Sequence, residues 1–212
     1  MKYQYVIWDF NGTLLNDVEL CFNLLNKMLS KRGFDTVTYD RYKEIFMFPV
    51  KEYYRLAGFD FDKEPFEVTA VEFINDYQPM SLELNLYPNT FEVLETIKNS
   101  ETRQLILSAS KIENLLEQTK HFGLDPYMDN ILGIDTIHAT SKVSVAKDWI
   151  LQNNVDPKKV IFIGDTDHDF EVASSIGVDC LLIANGHQSK ERLLKVTANV
   201  VDEIKDVLKV IF

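Results

Sequence analysis

Basic charge is what this chain has least of: 22 Lys and Arg stand against 33 Asp and Glu, a formal net charge of −11. Duplex binding needs clustered Lys and Arg, so an extended nucleic-acid surface is excluded. Cysteine is nearly absent. Cys21 and Cys180 are isolated and match no metal-ligand or redox spacing, which leaves two reduced core thiols as the reading. No segment is apolar enough to span a bilayer, and the start, Met1-Lys2-Tyr3-Gln4, lacks the apolar run of a signal peptide. The expectation is a cytoplasmic, reducing environment with no membrane contact. Internal repeats, low-complexity tracts and flexible linkers are missing as well. Neither a G-x-x-x-x-G-K-S/T phosphate loop nor a G-x-S-x-G elbow occurs. What remains is an ordinary globular composition, 46% hydrophobic and 26% charged over 212 residues. That length suits one domain, or one domain carrying a substantial insertion.

Two stretches stand out. Tyr5-Val6-Ile7-Trp8 is an apolar run suited to a strand covered on both faces, and it delivers Asp9 into the turn Phe10-Asn11-Gly12-Thr13. Open α/β sheets place their chemistry at that carboxyl end. Gly12 permits a sharp turn and brings backbone N–H groups toward a bound anion. A second apolar run, Val160 to Ile163, leads into Gly164-Asp165-Thr166-Asp167-His168-Asp169. Two strands ending in acidic turns suggest a shared cation site. The Asp165-x-Asp167-x-Asp169 spacing is not a calcium loop, because its sixth position is Phe170 and its twelfth is Ile176.

Between these stretches the pattern changes. Asp17–Lys31, Tyr39–Met47, Val50–Leu56 and Pro65–Tyr77 all read as helices, with Val18, Cys21, Leu24, Leu25 and Met28 on one face of the first. Strand-and-helix alternation then resumes. A helix from Pro88 to Lys98 precedes strand Gln104–Leu107, and helix Ile112–Phe122 precedes strand Asn130–Ile134. Helix Ser141–Gln152, strand Val160–Ile163, helix Asp169–Ile176 and strand Cys180–Ile183 follow. Helix Ser189–Val196, Val200-Val201 and a terminal helix close the chain. Such a rhythm predicts βαβ units with right-handed crossovers. The fold class is α/β, a Rossmann-like parallel sheet built from residues 1–14 and 82–212, with an all-helical insertion at 15–81.

Four elements line up on this frame: Asp9-Phe10-Asn11-Gly12-Thr13, Ser108 in Leu107-Ser108-Ala109-Ser110-Lys111, Lys142 in Thr140-Ser141-Lys142, and Gly164-Asp165 through Asp169. They resemble the D-x-D-G-T, Ser/Thr, Lys and G-D-x-x-x-D motifs of the haloacid dehalogenase superfamily, in its phosphoglycolate phosphatase and β-phosphoglucomutase-like branch. Alone, Ser108 would be a turn residue and Lys142 a surface lysine. Four motifs in order carry the resemblance. It implies strand order 5-4-1-2-3, a mobile cap at 15–81, and a Mg²⁺-dependent phosphohydrolase acting on a small phosphorylated metabolite, as monomer or homodimer. Asp9 is implied as nucleophile. Asp9, the carbonyl of Asn11, Asp165 and Asp169 are implied as metal ligands, with Lys142 neutralising the phosphoryl oxygens. Gly12, Thr13, Ser108, Ala109 and Lys142 are implied substrate contacts, joined by Lys51, which stands where the cap reaches the site. Arg41, Lys43 and Arg55 are further cap candidates.

One position departs from the family. Asn11 stands where the second aspartate, the general acid and base, belongs, and an amide holds a leaving-group oxygen but cannot protonate it. Three accounts stay open: a phosphatase for substrates that need little protonation or receive it from elsewhere, a phosphate-binding or regulatory descendant, and a substituted or locally altered branch.

Overall fold

Tyr5–Trp8 forms β1, the centre of the sheet, because each of its faces meets apolar cover and Val6, Ile7 and Trp8 are buried. The structure, a computed structural model, describes residues 2–134 and 141–212; Thr140 of the third motif lies outside them. β2 (Arg103–Lys111) and β4 (Val160–Gly164) flank β1, parallel to it. β3 (Asn130–Ile134) lies outside β2, while β5 (Asp179–Ile183) and β6 (Val200–Val201) lie outside β4. The order β3-β2-β1-β4-β5-β6 is the expected 5-4-1-2-3 with one short strand added at an edge.

Side-chain alternation divides the core. Val6, Trp8, Ile106, Ile161 and Ile163 face α5 (Thr90–Lys98), α6 (Ile112–His121) and the carboxyl-terminal α10 (Leu208–Ile211). Ile7, Leu105, Leu107, Phe162 and Leu182 face α7 (Lys142–Gln152) and α8 (Asp167–Ile176). The segment between β1 and α5 is helical: α1 (Val18–Lys31), α2 (Tyr39–Ile45), α3 (Val50–Ala57) and α4 (Phe66–Ser81). These four share a third apolar cluster in which Leu25, Met28, Tyr42, Tyr53 and Tyr77 are buried. No helix among the described residues is long and apolar enough to cross a membrane.

Some boundaries differ from expectation. α4 continues past Tyr77 to Ser81 with Pro79 inside it; a proline so near the end removes only one N–H, and Ser81 Oγ donates to the Gln78 carbonyl at 2.7 Å. α8 starts at Asp167, two residues early, because Thr166 and Asp169 form a reciprocal capping box. The expected helix to Val196 stops at Leu193 as α9 (Lys190–Leu193), which buries only Leu193.

Register places the site. Trp8 is level with Ile106 and Ile163, so Asp9, Ser108 and Asp165 leave the sheet at one carboxyl edge. The β2–β3 ladder shifts between Leu107 and Lys111, which frees Ser108, Ala109 and Ser110 from regular pairing.

Candidate active site

Three buried carboxylates meet at that edge. Asp9 continues β1, its N–H donating to the Ile163 carbonyl at 2.8 Å. Asp165 follows β4, and Asp169 is held by the capping box at the start of α8. One oxygen from each lies within 4.8 Å of the others. The Thr13 hydroxyl bridges Asp9 Oδ2 at 3.2 Å and Asp165 Oδ1 at 3.0 Å. Gly12, at φ +76°, allows this approach: a Cβ there would stand 2.5 Å from Asp165 Oδ2 and His187 Cδ2.

Lys142, the first residue of α7, is buried and donates to Asp9 Oδ1 and, at 2.7 Å, to Asp169 Oδ1. One ammonium therefore contacts two of the three carboxylates. Burial, opposed by Lys142 and reinforced by Asp169 and Asp165, pushes Asp9 up to about 8. Burial, eased by His187 and reinforced by Asp169, pushes Asp165 up to about 6. Asp169 goes the other way: burial would raise it, but Lys142 and the Thr166 hydrogen bond, with His168, together lower it. Three carboxylates sharing one ammonium, with hard oxygen donors a few ångströms apart, are the donor set of a small divalent cation. Asp9, Asp165 and Asp169 fit such an ion.

Beside them lies a polar network. Asn11 Nδ2 donates to Tyr77 Oη at 2.6 Å and to Asp17 Oδ2 at 3.0 Å. Asn11 Oδ1 accepts from Ser110 Oγ at 3.0 Å and Ser108 Oγ at 3.3 Å. Asp17 also accepts from Tyr77 Oη at 2.6 Å and from the Gly12 N–H at 2.8 Å. His187 Nε2 lies 3.3 Å from Asp17 Oδ1, and His187 Nδ1 lies 2.7 Å from Tyr42 Oη. Burial disfavours both charges of this pair, yet mutual attraction outweighs it: Asp17 is lowered and His187 raised. Asp17, Cys21 and His187 also lie close enough to hold a metal. Hydrogen bonds and the ion pair already fill that cluster.

The residues expected from the sequence therefore divide. Asp9, Asp165, Asp169, Lys142 and Thr13 converge. Ser108 reaches Asn11, and its hydroxyl also accepts the Ser110 N–H at 3.1 Å. Ala109 is half-buried between these serines. The Gly12 N–H is not free for a phosphate; the Asp17 carboxylate and the Leu15 carbonyl take it. Lys51 is exposed, its ammonium 5.8 Å from the centre of the Phe61 ring. Arg41 and Arg55 pair with Glu44 and Glu52 on their own helices. Lys43 is partly buried, and burial lowers its pKa against the pull of Asp165 and Asp40. The sequence assigns no site role to Asp17, Tyr77, Ser110 or His187; an aspartate ahead of a helix reads as an N-cap. Asp17 makes no side-chain capping bond, a distinction only coordinates reveal.

Residues 6–183 match the haloacid dehalogenase-like hydrolase family. The chain belongs to that family. Among its relatives is a tyrosine-protein kinase, PtkA, of Mycobacterium tuberculosis, 26% identical over 98% of this chain and 73% of the relative. A phosphoglycolate phosphatase of Synechococcus elongatus is 21% identical over 90% of this chain and 88% of its own length. A haloacid dehalogenase-like hydrolase structure from Streptococcus pneumoniae superposes with a TM-score of 0.85 at 18% identity, covering 100% of this chain and 99% of the other. At that identity the structural likeness concerns the fold.

Proposed function

We propose that this member of the haloacid dehalogenase-like family is a Mg²⁺-dependent phosphatase for a small phosphorylated metabolite, working through phosphorylated Asp9. The carrying observation is the triad Asp9, Asp165 and Asp169 with Lys142 bound to two of its members. Asp9 attacks phosphorus in line, and its carboxylate is oriented by Lys142 on one oxygen and Thr13 on the other. Asp9, the main-chain carbonyl of Asn11, Asp165 and Asp169 would hold Mg²⁺. When bound, the ion neutralises phosphoryl charge that would otherwise repel these carboxylates. Lys142 stabilises the equatorial phosphoryl oxygens as charge develops. The α1–α4 segment serves as the cap over the site, with Tyr42 and Phe46 against His187.

The test is a panel of phosphorylated metabolites with Mg²⁺, scored by phosphate release for the native chain and Asp9→Asn. Release that needs both Asp9 and Mg²⁺ is the expected result; release by Asp9→Asn rules the nucleophile out. The fully engaged amide of Asn11 favours a second reading, a phosphate-binding or regulatory protein with little turnover. Tight phosphate binding with no release from any ester would select it. Kinship with a protein named a tyrosine-protein kinase makes phosphoryl transfer to a tyrosine-containing peptide a further arm of the panel.

A further inference from the structure

Asn11 has no hydrogen-bonding capacity left for a substrate. A primary amide offers two N–H donors and two lone pairs on oxygen. Tyr77 and Asp17 take the donors; Ser110 and Ser108 fill the oxygen. The proton-bearing neighbours are committed too. Tyr77 donates to Asp17, the Ser108 and Ser110 hydroxyls turn to Asn11, and His187 is spanned by Asp17 and Tyr42. Asp17 cannot serve as a base, because Gly12 and His187 occupy Oδ1 while Asn11, Tyr77 and Cys21 occupy Oδ2. Asp169 is equally engaged by Lys142 and Thr166 and by the Asp165 N–H. Among the described residues, His168 Nδ1 is the one buried ring nitrogen without a partner, and that ring stacks on Phe48 with centroids 4.5 Å apart.

Building on the phosphatase reading, we propose that phosphorylated Asp9 is a persistent form of this protein, loaded by phosphates whose leaving group departs as a stable anion, acyl phosphates foremost. In loading, an Asp9 oxygen bonds to phosphorus as the bond from phosphorus to the acyl oxygen breaks. The carboxylate product leaves with the electron pair and needs no proton. A sugar phosphate releases an alkoxide, which does need one, and Asn11 has none to give. Discharge is the slow half. Water attacks phosphorus, the bond from phosphorus to the Asp9 oxygen breaks with its electron pair staying on Asp9 as carboxylate, and the proton shed by the water passes to the released phosphate or to bulk solvent. General-base assistance of that step is typically worth roughly 10²–10⁴-fold; Asn11 is not a base, and Asp17 is engaged on both oxygens.

The experiment loads the full chain with acetyl phosphate and Mg²⁺, removes the donor, and follows intact mass with time. One phosphoryl group should appear, absent from Asp9→Asn, and decay slowly. Asn11→Asp combined with Asp17→Asn keeps one amide and one carboxyl group in the network, and its phosphoryl group should decay roughly 10²-fold faster, as expected for a restored base. If that double variant does not fold, the native decay rate still decides, since it must match slow steady-state phosphate release. Rapid phosphate release without a detectable phosphoprotein overturns the inference and leaves the phosphatase reading standing. If His168→Phe then makes the phosphoprotein accumulate, His168 is the base. Neither mass gain nor phosphate release from acetyl phosphate or any ester overturns the inference together with the phosphatase reading.

Discussion

The amide nitrogen of Asn11 lies 3.0 Å from the carboxylate of Asp17, an aspartate that precedes α1 without capping it. Charge explains the pairing. A second carboxylate at position 11 would face Asp17 directly and would forfeit two donated hydrogen bonds. Asn11→Asp should therefore act in two directions: alkyl phosphate turnover rises by roughly 10²-fold if only the proton relay is missing, while stability falls by about 1–3 kcal/mol. Urea denaturation and phosphate release, measured on the same preparations, check both. A variant as stable as the parent with unchanged turnover would end both the charge argument and the missing-acid argument.

Lys142 is the ammonium that separates Asp9 from Asp169. Lys142→Met leaves two buried carboxylates facing each other, and breaking a buried pair in this way costs about 3–5 kcal/mol. Phosphate release should be lost, and metal-free Tm should fall. Added Mg²⁺ should restore part of that Tm, because the ion compensates the same carboxylates. A Lys142→Met protein with native Tm would show that the ammonium is not stabilising the cluster.

Much of this arrangement is written in local pattern. Val160 to Ile163 is apolar without interruption because both faces of β4 are covered, and the helical spacing from Val18 to Met28 marks the face that α1 buries. Asp9, Asp165 and Asp169 are legible because each sits at a predictable end of a strand or helix, whereas Lys142, which alone reads as a surface lysine, is legible only through the motif set. Asp17 is not, since nothing in its neighbours separates a capping carboxylate from one that turns back to Gly12 and Asn11. Tyr42 and Tyr77 read as core aromatics, and they are core; only their hydroxyls join the polar network. Lys51 shows the converse. The expectation is that it reaches the site from the cap, but its long flexible side chain on α3 lies exposed over Phe61.

Magnesium should stabilise the protein more as pH rises. Asp9 and Asp165 hold protons more tightly folded than unfolded, at about 8 and about 6 against an ordinary 3.8. Raised carboxyl groups favour the metal-free fold below 3.8, and that contribution is lost as pH climbs through 6 and then 8. Mg²⁺ competes with those protons for the same oxygens. The Tm gain at a fixed Mg²⁺ concentration should thus be small at pH 5 and largest at pH 8. A gain independent of pH would place the ion elsewhere.

Arg192 ties the carboxyl end of α2 to Asp167, the first residue of α8. Its Nε and Nη2 hold Asp167 Oδ2 at 3.1 and 2.7 Å, while Nη1 donates to the Glu44 carbonyl at 2.6 Å. Gln188 repeats the link, with Nε2 reaching the Phe46 carbonyl at 2.9 Å and Asp167 Oδ1 at 2.7 Å. A cation at a helix carboxyl terminus is worth roughly 0.3–1 kcal/mol, so Arg192→Ala should lower global stability only slightly. Its larger effect should be local: faster amide hydrogen exchange at Glu44–Phe48, and a KM that rises more than kcat falls, because substrate enclosure weakens while Asp9 and Lys142 stay in place. Exchange at Glu44–Phe48 unchanged from the native chain would show that α2 is held by its apolar contacts alone. A kcat that collapsed with KM unchanged would instead place Arg192 in the chemical step.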